Sequence, residues 1–169
     1  MDGLKGSETE KNLLIAFAGE SQANRKYLAF AKQADKEGYK QAAKLFRAVA
    51  EAETIHAHAH LKALGGVKST RENLNEAISG EKYEFSEMYP AMIDQSRKDG
   101  SKAAERAFRY ANEVEKIHAS LYKNALNNLE SSVETDYYVC SVCGYTCEME
   151  PPDKCPVCGS KSSAFFKID

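Results

Sequence analysis

The sequence predicts an all-α four-helix bundle followed by a small C-terminal metal-binding domain. Apolar residues recur at helical spacing through positions 7–130. The fourth predicted helix aligns without a gap on the second, Phe108 on Phe46, which indicates a repeated helix pair. All five cysteines of the 169-residue chain fall between positions 140 and 158. We therefore expect one domain over residues 1–134 and another over 135–169.

Start and stop signals divide the part before the cysteines into four helices. The first helix can begin at Ser7, which stands three residues before a glutamate in a capping-box pattern, and a Gly-Gly pair at 65–66 ends the second. The third also opens with a capping-box pattern, allows a break near Ser79-Gly80, and should kink at Pro90. The expected bounds are 7–38, 39–64, 69–98 and 101–130, and a polar linker follows at 131–135.

Composition and charge exclude several classes of function. The 23 basic and 25 acidic residues give a formal charge of −2, so no basic surplus indicates a nucleic-acid partner. No apolar run approaches the roughly 18 residues that a membrane span needs, and the start at Met1 does not resemble a signal peptide. We expect a cytoplasmic protein that binds neither nucleic acid nor membrane.

The internal repeat predicts a dinuclear metal site. Residues 46–64 and 108–126 share nine identities in 19 positions, and each copy carries Glu-x-x-His. Glutamate and histidine at this spacing lie on one helix face, here among apolar residues, where charges are costly unless paired or coordinated. Alignment of the third predicted helix on the first adds one matching glutamate from each. The predicted ligands are Glu20, Glu53, His56, Glu81, Glu115 and His118.

Glu84 breaks the symmetry of the repeat. It follows Glu81 by one helical turn, whereas its counterpart in the first helix is Ala23. Glu84 is either a solvated acid or a seventh ligand that makes the two metals inequivalent. A metal that can exchange neutral His56 for anionic Glu84 would suit a redox site, because an anion favours the oxidised metal.

The cysteine cluster predicts a second metal site. Two C-x-x-C-G motifs, with eleven residues between Cys143 and Cys155, can place four thiolates around one ion, and both iron and zinc accept such a site. Cys147 lies outside both motifs and is expected to be a free thiol. The four predicted ligands are Cys140, Cys143, Cys155 and Cys158. The expected small core around them consists of Tyr138, Tyr145, Phe165 and Phe166.

These parts, in this order, resemble the rubrerythrin family over essentially the whole chain. The resemblance rests on the repeated Glu-x-x-His helices, the stretch from Gly80 to Pro90, and the end from Tyr138 to Gly159. It implies a ferritin-like bundle with a non-haem diiron centre and a rubredoxin-like domain with one Fe(Cys)4 iron. It therefore favours iron over zinc in the tail.

The resemblance also implies roles for individual residues. Glu53 and Glu115 would bridge the two irons, and His56 would exchange with Glu84 when the irons change oxidation state. Tyr27 and Tyr89 fall where the family has tyrosines hydrogen-bonded to the carboxylate ligands. These residues, together with the ligands above, form the expected active site.

The expected function is a non-haem diiron peroxidase that reduces hydrogen peroxide to water and protects against oxidative stress. Electrons would be relayed through the Fe(Cys)4 site from a separate protein, because the chain has no glycine-rich dinucleotide motif. The family implies rubredoxin or an NAD(P)H-dependent reductase as that donor. The alternatives are a ferritin-like iron oxidase or storage protein with a structural zinc tail, and a metal- or peroxide-binding sensor.

Helix length suggests an assembly. Glu115 lies about four helical turns before the predicted end of its helix, which places the start of the tail about 22 Å from the diiron level of its own chain. Electron transfer over that distance is inefficient. We therefore expect a head-to-tail homodimer in which the tail of one chain approaches the bundle of the other.

Overall fold

The computed structural model describes residues 4–131 and 133–169. The first three residues, on which part of the signal-peptide prediction rests, and Ser132 of the predicted linker lie outside the described residues. The chain divides into two compact units, one ending at Lys68 and the other beginning at Ser69. Within the described ranges, no helix is both long enough and apolar enough to cross a membrane.

The first unit is a pair of long helices, α1 (Glu8–Lys36) and α2 (Lys40–Ala63). Alanines fill much of the contact between them and allow the two backbones to approach closely. Ser7 caps α1 by accepting a hydrogen bond from the Glu10 amide at 3.1 Å, as predicted. The Glu10 carboxylate, however, accepts from the amide of Gly6 and not from that of Ser7.

The helices of the second unit are α3 (Thr70–Tyr83), α4 (Tyr89–Lys98) and α5 (Lys102–Asn127). The capping box of Ser69 and Glu72 at the start of α3 is confirmed. The allowed break near Ser79-Gly80 does not occur, because α3 continues through both residues and the Ser79 hydroxyl donates to the Asn75 carbonyl one turn earlier. Helix α5 ends at Asn127, about one turn before the predicted end.

A single π-helical turn, Glu84–Met88, joins α3 to α4. The Tyr89 amide donates to the Glu84 carbonyl five residues earlier, so this turn holds one residue more than an α-helical turn. The expected irregularity at Pro90 takes this form, and Pro90 itself lies in the first turn of α4, where a missing amide costs little.

The π turn absorbs a one-residue insertion in the second copy of the repeat. The sequence separation between Tyr27 and Tyr89 is one residue larger than that between Glu20 and Glu81. In a regular helix the extra residue would rotate everything after it by about 100°. The wider turn compensates, because the residues at 93 and 96 are buried like their counterparts at 31 and 34. The π turn therefore keeps Tyr89 on the helix face of Glu81.

The tail is a three-stranded antiparallel sheet in the order β2-β1-β3. The strands are β1 (Tyr137–Cys140), β2 (Thr146–Glu148) and β3 (Phe165–Lys167). The rings of Tyr145 and Phe165 meet edge to face, with centroids 6.1 Å apart, as expected of a small core. The prediction for Phe166 was wrong, since its side chain is 50% exposed. Strand alternation turns it away from Phe165.

Candidate metal centres

The first unit brings together the predicted ligands Glu20, Glu53 and His56. Their ligand atoms all lie within 4.8 Å of one another. The Nδ1 atom of His56 is 2.8 Å from a carboxylate oxygen of Glu53, one helical turn away. Two carboxylates and one imidazole nitrogen at this spacing are a donor set of the kind predicted for one half of a dinuclear site. We call this group the first half-site, and the corresponding group of the second unit the second half-site.

The second unit brings together Glu81, Glu115 and His118 in the same way. Their ligand atoms also lie within 4.8 Å of one another, and His118 Nδ1 is 2.7 Å from a Glu115 oxygen. Burial and then the negative charge of Glu115 raise the pKa of Glu81 to about 7. A bound cation would offset both effects, so this oxygen and nitrogen donor set fits an iron ion.

Glu84 lies beside the second half-site but outside both ligand groups. It begins the π turn and is partly buried. Burial and the charge of Glu115 raise the pKa of its carboxyl group. Glu84 is therefore close enough to the second half-site for the charge of Glu115 to change its pKa, but it is not one of the clustered donors. Its predicted role as a seventh ligand stays a prediction.

The predicted tyrosines occupy equivalent positions in the two copies. The ring centroid of Tyr27 is 6.3 Å from that of Phe46, and Tyr89 is 6.3 Å from Phe108. Burial, followed by the charges of Glu84, Glu115 and Glu81, raises the pKa of Tyr89, so its hydroxyl keeps its proton beside the second half-site.

The four predicted cysteine ligands converge in the tail. The sulfurs of Cys140 and Cys158 are 3.7 Å apart, and those of Cys143 and Cys155 are 3.5 Å apart. A tetrahedral ion with metal–sulfur distances of about 2.3 Å has sulfur–sulfur edges of roughly 3.8 Å. The cluster therefore has the dimensions of a four-thiolate site, and Cys147 is not part of it.

The two C-x-x-C-G motifs have the same local geometry. Gly144 donates its amide to the Cys140 carbonyl and Gly159 donates to Cys155, each at 2.9 Å. Both glycines have positive φ, 85° and 75°, which residues with a side chain rarely adopt. Glycine therefore permits the tight turn that follows each cysteine pair.

The thiols within the cluster are not equivalent. Burial raises the pKa of Cys143. Burial acts in the same direction on Cys158, but hydrogen bonds with the side chain and backbone of Ser160 and with the thiols of Cys155 and Cys143 together outweigh it and lower the pKa of that thiol to about 6. Cys158 is therefore the thiol most readily deprotonated for metal binding.

The tail reaches the second half-site within the same chain. The Nε2 atom of His118 is 3.3 Å from the Gly144 carbonyl oxygen and 3.1 Å from Thr146 Oγ1. The backbone at Gly144 also passes close to Val114, which is almost fully buried on α5, since a β-carbon added at this glycine would lie 3.8 Å from the valine side chain. The 22 Å predicted for the start of the tail does not apply to the loop at Gly144 and Thr146, because the sheet folds back along α5 and reaches His118 of its own chain.

This contact selects the form of His118 that binds a metal. A carbonyl oxygen can only accept a hydrogen bond, so Nε2 carries the ring proton and donates it. The Thr146 hydroxyl donates to the same carbonyl at 3.1 Å. Nδ1, 2.7 Å from a Glu115 oxygen, is then the ring nitrogen left to bind a metal that this carboxylate also binds. Sequence analysis missed Gly144 and Thr146, since no spacing rule connects a tail residue with a residue on α5.

We expect the substitution Thr146→Val to weaken metal binding at the second half-site by about tenfold, because Nε2 loses one of its two partners. Competition with a chromophoric chelator measures this affinity. Thr146→Ser should retain it, and Thr135→Val, a matched change outside the contact, should leave it unchanged. Wild-type affinity in Thr146→Val would contradict the assigned role of the hydroxyl.

Comparisons with known proteins agree with this geometry. The rubrerythrin family model matches residues 11–126, and the model for the rubredoxin-like domain of rubrerythrin matches residues 138–166. The chain is 35% identical to Rubrerythrin-2 of Clostridium acetobutylicum, with 96% of this chain and 97% of that protein covered. It is also 35% identical to nigerythrin of Nitratidesulfovibrio vulgaris, with coverages of 93% and 85%.

Solved structures give the same result. The structure of nigerythrin in a partially reduced state has a TM-score of 0.59 and 34% identity, and the match covers 98% of this chain and 89% of that one. The predicted fold class is confirmed. It is a ferritin-like four-helix bundle followed by a small rubredoxin-like domain with four clustered cysteines. The chain belongs to the rubrerythrin family.

Proposed function

We propose that the protein is a non-haem diiron peroxidase that reduces hydrogen peroxide to water and protects the cell from oxidative stress. The observation that carries the proposal is the hydrogen bond between His118 and the tail. It links a predicted ligand of the carboxylate site to the loop that follows Cys143. A tail that served only as a structural zinc domain would not require such a link.

The carboxylate site would hold two iron ions. Glu20, Glu53 and His56 would supply one donor set and Glu81, Glu115 and His118 the other, with Glu53 and Glu115 as bridging ligands. Two ferrous ions bound there supply the two electrons that cleave the oxygen–oxygen bond of peroxide.

Other side chains of the chain would assist this reaction. The Tyr89 hydroxyl would donate a hydrogen bond to an oxygen of bound peroxide. Its raised pKa keeps this hydroxyl protonated. Tyr27, which packs on Phe46 as Tyr89 packs on Phe108, would have the equivalent position in the first copy. The four cysteines of the tail would hold one further iron, which would supply a one-electron redox site for a donor protein.

Metal analysis and peroxide titration test this proposal. We expect about three irons per chain from the two donor sets and the cysteine cluster, and one peroxide consumed for each reduced pair of irons. Anaerobically reduced protein is mixed with substoichiometric peroxide, and reoxidation is followed by visible absorption. Zinc in the tail together with net storage of ferric iron would favour the oxidase or storage alternative. Peroxide binding without turnover would favour a sensor.

Glu84→Ala tests the proposed ligand exchange. We expect a dinuclear site that still binds two metals but turns over at least tenfold more slowly, because the anion that favours the oxidised metal is missing. Glu87→Ala is the matched control, since Glu87 is exposed in the same π turn. Wild-type turnover in Glu84→Ala would rule out the exchange. The measurements are metal content and the steady-state rate of peroxide reduction.

We also propose a homodimer and a cytoplasmic location. The dimer is supported by apolar side chains of the first unit that are more than half exposed: Leu14, Ile15, Leu45 and Ile55. The location is supported by five cysteines without a disulfide among the described residues, as is usual in a reducing compartment. Light scattering after size exclusion measures the mass, and a monomer would contradict the dimer.

A further inference from the structure

A cleft of about 550 Å³ lies between the first half of α5 and the second cysteine motif of the tail. Its walls include Lys102, Arg106, Arg109 and Tyr110 on α5, and Val157 from the tail. A smaller cavity beside it is lined by Arg106, Tyr110 and Val142 of the first cysteine motif. The two valines therefore flank one stretch of α5, and we call this surface the basic cleft: Lys102, Arg106, Arg109, Tyr110, Val142 and Val157.

The basic cleft is the side on which the cysteine site is closest to solvent. Cys140 and Cys155 are only 1% and 2% exposed, whereas Cys143 and Cys158 are partly exposed. Val142 and Val157 directly precede these two outer cysteines, and Val142 is 56% exposed. A protein that covers the valines comes within a few ångströms of the outer sulfurs.

Positive charge is in excess in the basic cleft. Two acids also line the larger cavity, but each already has a cation of its own: Glu105 pairs with Arg97 at 2.8 Å and Glu113 with Lys116 at 2.7 Å. Lys102, Arg106 and Arg109 form no ion pair with any residue that the structure describes, although the charge of Arg109 contributes, after Lys116, to lowering the pKa of Glu113. Three cations therefore surround an apolar centre in a chain whose formal charge is −2.

We propose that the basic cleft docks an acidic electron-donor protein, with Val142 and Val157 as the apolar centre and Lys102, Arg106 and Arg109 as the charged rim. The inference rests on the proposed function, in which electrons enter through the tail. The donor is itself the reductant and loses one electron for each docking event, and no bond forms or breaks. Electrons then leave through the loop at Gly144, which contacts His118 farther along α5.

Binding of a redox-silent acidic probe tests the proposal. Zinc-substituted rubredoxin is titrated into the metal-loaded full-length protein at low and high ionic strength, and binding is followed by amide chemical shifts. We expect binding that weakens with salt and shift changes around Val142 and Val157. Arg106→Glu should weaken binding by roughly tenfold at low salt. Lys123→Glu, the same charge change near the other end of α5, should bind as wild type.

Several outcomes would overturn the docking site. They are unchanged binding in Arg106→Glu, equal binding of the basic protein cytochrome c, or no salt-sensitive binding of the acidic probe. A second measurement separates this inference from the proposed function. Prereduced Arg106→Glu should be oxidised by peroxide at the wild-type rate, because Arg106 touches neither metal site. If prereduced wild-type protein is not oxidised by peroxide, the proposed function fails whatever the binding results are.

Discussion

Cys158→Ser is expected to remove the metal from the tail and to unfold residues 136–169. A segment of this size buries too little apolar surface to fold alone, and a four-thiolate metal contributes on the order of 10 kcal/mol to such a domain. Donor-linked peroxide reduction should fall to background, because electrons no longer enter. Unfolding of the tail also removes the Gly144 and Thr146 partners of His118, so metal affinity at the second half-site should fall as well. Prereduced protein that is loaded with excess ferrous iron should still consume peroxide once. Metal content, amide spectra of the tail and the NADH-linked rate measure these effects.

The chain supplies a matched control in Cys147. This thiol lies outside the cluster and donates only a long hydrogen bond, 3.6 Å, to the Glu150 carbonyl. Cys147→Ser should therefore keep the full metal content, a folded tail and the wild-type rate. If Cys147→Ser loses activity as Cys158→Ser does, the fifth thiol takes part in the chemistry and the four-cysteine assignment is incomplete.

Mixing variants distinguishes relay within a chain from relay between chains. The head-to-tail dimer predicted from the sequence leads one to expect that chains with Cys158→Ser are rescued by chains with Glu115→Ala. The contact between Thr146 and His118 of one chain supports the opposite expectation, a relay within each chain. A mixed sample should stay inactive in the donor-linked assay. Recovery of activity would show that each tail serves a different chain.

Deletion of Ser86 is expected to lower the free energy of unfolding by about 3 kcal/mol. Removing the inserted residue closes the π turn into a regular α-helix, and Pro90 then lies in a helix interior where its missing amide leaves a carbonyl unpaired. Urea unfolding followed by circular dichroism measures the change. An unchanged midpoint and slope would show that the helix tolerates Pro90 without the extra residue.

The first copy of the repeat provides the compensating substitution. Leu28 occupies the position in α1 that Pro90 has after the π turn, and α1 is regular there. The combination of the deletion with Pro90→Leu should therefore recover most of the lost stability. Pro90→Leu alone should change it by less than about 1 kcal/mol, because Pro90 lies in the first turn of α4. The pair forms a double-mutant cycle.

The positions of the two donor sets could be predicted from sequence because they repeat. Glu53 and His56 recur as Glu115 and His118 at a constant shift, and helical geometry alone places each pair on one face. The cysteine motifs are equally local. The π turn was also encoded, since the shift between the copies grows by one residue between Glu20 and Tyr27, but two helices must be aligned position by position to see it.

The path of the tail could not be predicted. Helix length alone suggested that the sheet would lie far from its own half-site. Its return along α5 depends on the packing of Gly144 on Val114 and on hydrogen bonds to one histidine nitrogen, which leave no periodic pattern. The position of Phe166 depends likewise on strand register, since β3 is only three residues long.

The one-residue insertion shows how a duplicated protein can specialise. The π turn, the added Glu84, Pro90 and the contact with the tail all belong to the second helix pair, whereas the first pair retains only the shared ligands and the packed tyrosine. All of these additional features lie in the second helix pair, and the first pair has none of them. A chain built from two copies of the first helix pair would keep six donors of the repeated kind. Adding the features of the second pair to it one at a time would show how much each changes the free energy of unfolding.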